Sequence, residues 1–117
     1  MVKALIIDEE IDTWFMLSGV LRQNQIKTNF VNSLSAARQS LQKDEPGMLF
    51  FDNHVQDGFA GNFIKYVKSN YPGIKIVMIK DQDGLAVRRR AAAEEADLFI
   101  SKPFNMEAID EAIKRIL

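Results

Sequence analysis

Cysteine is absent from the 117 residues, which excludes disulfides, thiolate catalysis and Cys-built zinc or iron–sulfur sites. With a single histidine, a polyhistidine metal centre is excluded as well. No apolar run approaches the roughly 18 residues of a membrane span. The N-terminus, MVKALIIDEE, meets acidic residues straight after Ala4–Ile7, too short for a signal peptide. Excess charge is also lacking: 15 Lys and Arg face 16 Asp and Glu, for a net charge of −1. There is then no general electrostatic drive toward nucleic acid or an anionic membrane. The chain reads as cytoplasmic, without nucleic acid or membrane as a direct partner. No linker, repeat or low-complexity stretch breaks it, so one domain over 1–117 is expected, long enough to bury a core without staples.

What is present is a regular alternation of short apolar runs and helix-period segments. Ala4–Ile7, Thr28–Val31, Met48–Phe51, Ile74–Ile79 and Leu98–Ile100 read as strands. Between them, Ile11–Gln23 reads as a helix with Ile11, Phe15 (or Trp14), Ser18 and Leu21 on its apolar side. Ser33 or Asn32 can cap a second helix carrying Leu34, Ala37 and Leu41. A third holds Phe59, Phe63, Ile64 and Val67 and ends at Tyr71-Pro72-Gly73. A fourth runs roughly from Leu85 to Glu95, and a fifth from about Asn105 aligns Met106, Ile109, Ile113 and Ile116. Five strands alternating with five helices predict an α/β fold with a parallel sheet covered on both faces.

In such sheets ligand chemistry sits beyond the carboxyl ends of the strands. The first strand ends at Asp8-Glu9, the third at Asp52, the fourth at Lys80 and the fifth at Lys102. Three carboxylates and two ammonium groups therefore converge on one edge. A carboxylate such as Asp52 can act as a nucleophile toward phosphorus, giving an acyl phosphate. Phosphoryl transfer is governed by positioning and cations, and Mg²⁺ accepts a few carboxylates together with a phosphate oxygen.

The runs Leu5-Ile6-Ile7-Asp8-Glu9-Glu10, Phe50-Phe51-Asp52 with its loop to Gly58 and Gly61, and Ala96–Phe104 with Lys102-Pro103 together resemble the receiver domains of two-component response regulators, of the chemotaxis-regulator type. The resemblance covers essentially the whole chain. It implies a flavodoxin-like, doubly wound (βα)5 fold with strand order 2-1-3-4-5. It further implies Asp52 as phosphoacceptor and Lys102 as the phosphate contact. Mg²⁺ would be held by Asp8, Glu9, Asp52 and the backbone carbonyl of His54, the Lys102-Pro103 bond would be cis, and Phe99 would be the switch aromatic. The phosphodonor would be a histidine kinase or histidine phosphotransfer protein. The output would run through the face of the fourth helix, fifth strand and fifth helix, toward a partner or an output domain, from a stand-alone receiver or one excised from a longer regulator.

Some positions depart from that pattern. Lys80 stands where the family carries the Thr or Ser of the switch, and lysine is a donor only. It can snorkel into solvent, the favoured reading, pair with Asp52, or reach the phosphate beside Lys102. Gln56 and Ala60 replace the usual Pro and Gly of the acceptor loop. Blander readings stand beside the functional ones. Asp8-Glu9 also reads as a solvated pair capping the next helix, Asp52 as a turn residue, and Lys102 as a surface lysine. His54 also reads as an exposed loop residue, Phe99 as a core residue, Trp14 as partial core, and Arg88-Arg89-Arg90 as a solvated face. A pseudo-receiver that binds a partner without phosphorylation is the second functional reading. An Asp-nucleophile phosphatase is the third, weakened because His54 holds the place of the usual second Asp. The domain is read as a signalling module, not an enzyme.

Overall fold

The protein was analysed as a computed structural model that describes residues 2–52, 60–80, 96–101 and 104–117, with the backbone alone described for Asp52, Ala60, Gly61, Lys80 and Ser101. Apolar β-rich runs make β1 (Lys3–Ile7), β2 (Lys27–Val31), β3 (Met48–Asp52), β4 (Lys75–Lys80) and β5 (Leu98–Ser101). Helix-period segments make α1 (Ile11–Gln23), α2 (Leu34–Lys43), α3 (Ala60–Asn70) and α4 (Met106–Ile116). The helix expected over 85–95 lies outside the described residues. All strand pairs are parallel, in the order β2-β1-β3-β4-β5. This is the doubly wound, flavodoxin-like order that the motifs imply.

Strand alternation splits the core into two layers. Leu5, Ile7, Leu49, Phe51, Ile76 and Met78 face α2 and α3, which contribute Leu34, Ala37, Leu41, Phe63, Ile64 and Val67. Ala4, Ile6, Met48, Phe50, Val77, Ile79 and Ile100 face α1 and α4. Because helices cover both sides, β1, β3 and β4 are apolar at consecutive positions, not alternate ones. Phe50 and Phe51 point into opposite layers and are each fully buried. Such burial stabilises by about 1.5–3 kcal/mol per side chain. β2, at the edge, is half exposed and begins with a lysine, a charge that discourages edge pairing.

Helix starts follow local chemistry. The Ser33 hydroxyl accepts the Ala36 N–H at 3.0 Å and the Asn105 carboxamide oxygen accepts the Ala108 N–H at 2.8 Å. At the other end of α1, Gln25 takes φ 62°, the left-handed conformation that glycine usually supplies after a helix. Asn24 anchors this turn by donating to the Val20 carbonyl and to Asp110 of α4, both at 2.9 Å.

Two helix faces differ from expectation. In α1 the buried residues are Thr13, Leu17, Ser18, Val20 and Leu21, while Ile11 and Phe15 are 64% and 69% exposed. Apolar residues occupy most of the circumference of this helix, so periodicity alone does not select the face that meets the sheet. In α4, Ile109, Ala112 and Ile113 are buried, but Met106 in the first turn is exposed. Met106 stands in the first turn of α4, five residues after the end of β5 in sequence.

Candidate functional site

The parallel register fixes the order of the strand endings along the carboxyl edge. Ile7 pairs with Phe51, so positions 8 and 52 follow side by side on neighbouring strands, about 4.8 Å apart. Asp52 pairs with Ile79, which sets Lys80 one residue further along the next strand. Lys80 in turn pairs with Ser101, the last residue of β5. The sheet therefore brings Asp8, Asp52 and Lys80 to one edge, as the strand endings predict. Lys102 follows Ser101 in sequence but lies outside the described residues, as do His54, Pro103, Gln56, Gly58 and Arg88-Arg89-Arg90.

Asp8 is the best-defined member of this edge. Its backbone N–H donates to the Val31 carbonyl at 3.1 Å, extending the β1–β2 ladder by one residue. Its carboxylate Oδ1 accepts the Glu10 N–H at 2.8 Å, the two-residue turn that Asp favours. That turn aims the chain into α1, whose N-cap is Glu10 and not Asp8, with no side-chain capping bond. The reading of Asp8-Glu9 as a solvated pair is therefore half right: Glu9 is exposed, but Asp8 is 0% exposed. Removing a carboxylate from water costs several kcal/mol unless cations or hydrogen bonds compensate. A fully buried Asp at a strand ending beside a second Asp is an edge disposed to take up positive charge.

Oxygen donors of this kind suit a hard divalent cation such as Mg²⁺, which takes one or two carboxylates and retains water. Among the described residues no group of three ligating side chains assembles. Of the expected ligands, Asp8 and Glu9 are fully described and Asp52 by its backbone.

Phe99 is half-buried and packs against the α2/α3 core layer, opposite Met78 in the register. This position is compatible with both the switch and the core reading. One residue with a defined job went unremarked in the sequence: Asp97. Its carboxylate accepts the Ile76 N–H at 2.7 Å and pairs with Lys68 of α3 at 3.1 Å, while its own N–H donates to the Ile76 carbonyl at 2.9 Å. It clamps the start of β5 to β4 and α3. An Asp directly preceding a short apolar strand is the signal that was available.

A five-stranded parallel sheet in this order, with acidic residues at the carboxyl ends of its first and third strands, defines a flavodoxin-like α/β domain with an acidic edge. Residues 4–114 match the model of the response regulator receiver domain, and the chain belongs to that family. Among curated proteins it is similar to response regulator protein PilR of Pseudomonas aeruginosa, at 24% identity over 115 residues, covering 98% of this chain and 26% of PilR. It is also similar to nitrogen assimilation regulatory protein NtrX of Azorhizobium caulinodans, at 25% identity over 117 residues, covering 97% of this chain and 25% of NtrX. The chain thus spans about a quarter of the length of these relatives. Among solved structures, chemotaxis response regulator CheY4 of Vibrio cholerae superposes with a TM-score of 0.90 at 24% identity, covering 100% of this chain and 99% of CheY4. At that identity the likeness speaks for the fold. Receiver domains are signalling domains and not enzymes in the ordinary sense. Among the described residues, no helix is long and apolar enough to cross a membrane.

Proposed function

We propose that this domain accepts a phosphoryl group on Asp52 from a histidine kinase or histidine phosphotransfer protein, in a Mg²⁺-dependent reaction. The observation that carries the reading is the fully buried carboxylate of Asp8, in register beside position 52 at the carboxyl edge of a receiver fold. Asp8, Glu9, Asp52 and the His54 carbonyl would hold the metal, which when bound neutralises charge on the phosphoryl oxygens. Lys102 would supply a point charge to the phosphoryl group. Asp52 is the nucleophile: its oxygen forms the new bond to phosphorus as the donor's histidine nitrogen leaves.

The product adds about −1.5 to −2 of charge at the edge. Moving a two-state surface from 1:99 to 99:1 takes about 5.5 kcal/mol of differential stabilisation. In this reading Phe99 carries the change toward the output face that the family resemblance implies, of which β5 and α4 are described. On that face a groove of about 320 Å³ lies between β5 and α4, lined by Leu98, Ile100, Phe104 and Ala108 among others. An output domain or partner would dock there.

The test is amide NMR during titration with Mg²⁺ and beryllofluoride, a phosphoryl mimic. Shifts centred on Asp8, Glu9, Asp52 and Lys102 and spreading to Phe99 support the reading; no movement at millimolar ligand contradicts it. Lys80 at the end of β4 favours a second reading, in which the domain binds its partner independently of phosphate. Under that reading, the same face binds its partner equally well with and without beryllofluoride. Lys80→Thr distinguishes a lysine that blocks the site from one that stays in solvent, since only the first changes phosphorylation rate and Mg²⁺ affinity.

A further inference from the structure

β2 forms one edge of the sheet, and no strand pairs with its outer side. The Lys27 N–H donates to the Val2 carbonyl and the Val31 carbonyl accepts the Asp8 N–H, both at 3.1 Å. Residues 27, 29 and 31 therefore address β1, and alternation turns the N–H and C=O of Thr28 and Phe30 to the free side. Proteins commonly close such edges with prolines, bulges or charges along the strand. Here Thr28-Asn29-Phe30-Val31 has neither proline nor charge, and Lys27 at the first position is the one charge of the strand.

Beside that lysine, between the end of α1 and the start of β2, lies a hollow of about 450 Å³. Arg22, Gln25, Ile26, Lys27 and Thr28 line it, so it holds two cations and no acid. Arg22 and Lys27 are exposed and have no ion-pair partner among the described residues. Lys3, the register partner of Lys27 on β1, is by contrast held by Asp44 at 2.9 Å. Gln25 keeps its side chain in this hollow although its φ of 62° is a strained conformation that glycine would adopt freely. A cation suits the end of a helix, and a lysine suits a sheet edge. Neither role asks for a strained glutamine between them.

We propose that the free edge of β2 takes up an extended acidic peptide segment as an added strand. Its backbone pairs with the outward N–H and C=O groups of Thr28 and Phe30, and its carboxylates meet Arg22 and Lys27, with Gln25 donating at the same end. Charge selects the occupant. A second copy of β2 brings its own Lys27 and offers these cations no carboxylate. Lys27 thus turns away basic strands and admits an acidic one. Five residues of edge and two charges support a weak complex, with a Kd of about 0.1–1 mM. The inference is independent of the chemistry assigned to Asp52.

Amide NMR of the full chain at low salt, titrated with a capped peptide alternating Glu and Val, tests it. The Thr28 and Phe30 amides should shift and exchange more slowly with solvent, while those of Asn29 and Val31, which face β1, shift less. Arg22→Gln and Lys27→Gln should each weaken binding about threefold. Gln25→Gly should also weaken it about threefold, yet melt about 3 °C higher because the strained turn is relieved. Circular dichroism verifies that each variant is folded. Thr28 and Phe30 amides that stay still at millimolar peptide overturn the proposal, as does an equal response to the peptide with Lys in place of Glu. Undiminished binding of a peptide N-methylated at alternate residues also overturns it, since charge attraction without strand pairing then accounts for the contact. If the same two amides move with protein concentration and not with peptide, the edge belongs to a second copy and the acidic occupant is excluded.

Discussion

Ile7 and Asp8 are consecutive and equally buried, both at 0% exposure, yet they stand on opposite sides of the energy balance. Ile7 sits between Val31 and Phe51 in the register and gains from every neighbour it touches. Asp8, one residue on, has the same lack of water but is a polar group whose Oδ1 accepts the Glu10 N–H, and burying such a group costs free energy that hydrogen bonds or cations must offset. The interior of the strand rests on apolar contact, and its carboxyl end on polar contact. A sheet that tolerates this at one edge, and on the face-forming strands nowhere else among the described residues, localises its chemistry there.

The contrast can be broken or sharpened by substitution. The largest effect belongs to the interior. Phe50→Ala or Phe51→Ala should each destabilise by about 3–5 kcal/mol, read as a lowered urea midpoint at unchanged slope. At the edge the effect is smaller. Asp8→Asn keeps an acceptor for the Glu10 N–H, so without divalent ions it should change stability by less than about 2 kcal/mol. The same variant should lose most of any rise in melting temperature that Mg²⁺ gives the parent protein. Equal stability of the two proteins with and without Mg²⁺ would remove Asp8 from the metal site. Away from both regions, Ser33→Ala should cost about 1 kcal/mol by leaving the Ala36 N–H without its cap, measurable by thermal unfolding.

The smallest effect is a pH dependence on α4. The Lys114 ammonium at 2.8 Å, with the Asn24 amide second, holds the Asp110 carboxyl below its ordinary value. A lowered folded pKa contributes stability that is present above the ordinary carboxylate value and is lost as pH falls through the lowered one. Lys114, raised in turn by Asp110, contributes below the ordinary lysine value and loses that contribution as pH rises through the raised one. The pair is at the surface, so salt should screen the effect. Asp110→Asn should flatten the acid limb of melting temperature against pH only slightly.

Much of the fold was legible because each strand is a short apolar run bounded by turn chemistry, and because parallel sheets bury both faces of their strands. The carboxyl edge was legible for the same reason: position 52 follows directly on the buried run Met48–Phe51, and position 8 on Ala4–Ile7. What the sequence did not disclose depended on tertiary contact. The burial of Asp8 is decided by what packs around the strand ending, and not by the polar run Asp8-Glu9-Glu10. The buried face of α1 was right at Ser18 and Leu21 and wrong at Ile11 and Phe15, because Ile11, Trp14, Phe15 and Met16 crowd its first half with apolar side chains on nearly every side. Met106 keeps the helical period of α4 but lies beyond the end of β5, a boundary that periodicity does not register. The clamp at Asp97 joins residues 29 and 21 positions apart, too far for any local pattern.

The most direct measurement is the intact mass of the protein after incubation with a small acyl phosphate donor, with and without Mg²⁺, beside Asp52→Asn. A gain of one phosphoryl group in the parent, dependent on Mg²⁺ and absent from Asp52→Asn, is the predicted result. No gain in the parent, or an equal gain in the variant, would contradict Asp52 as the acceptor at this edge.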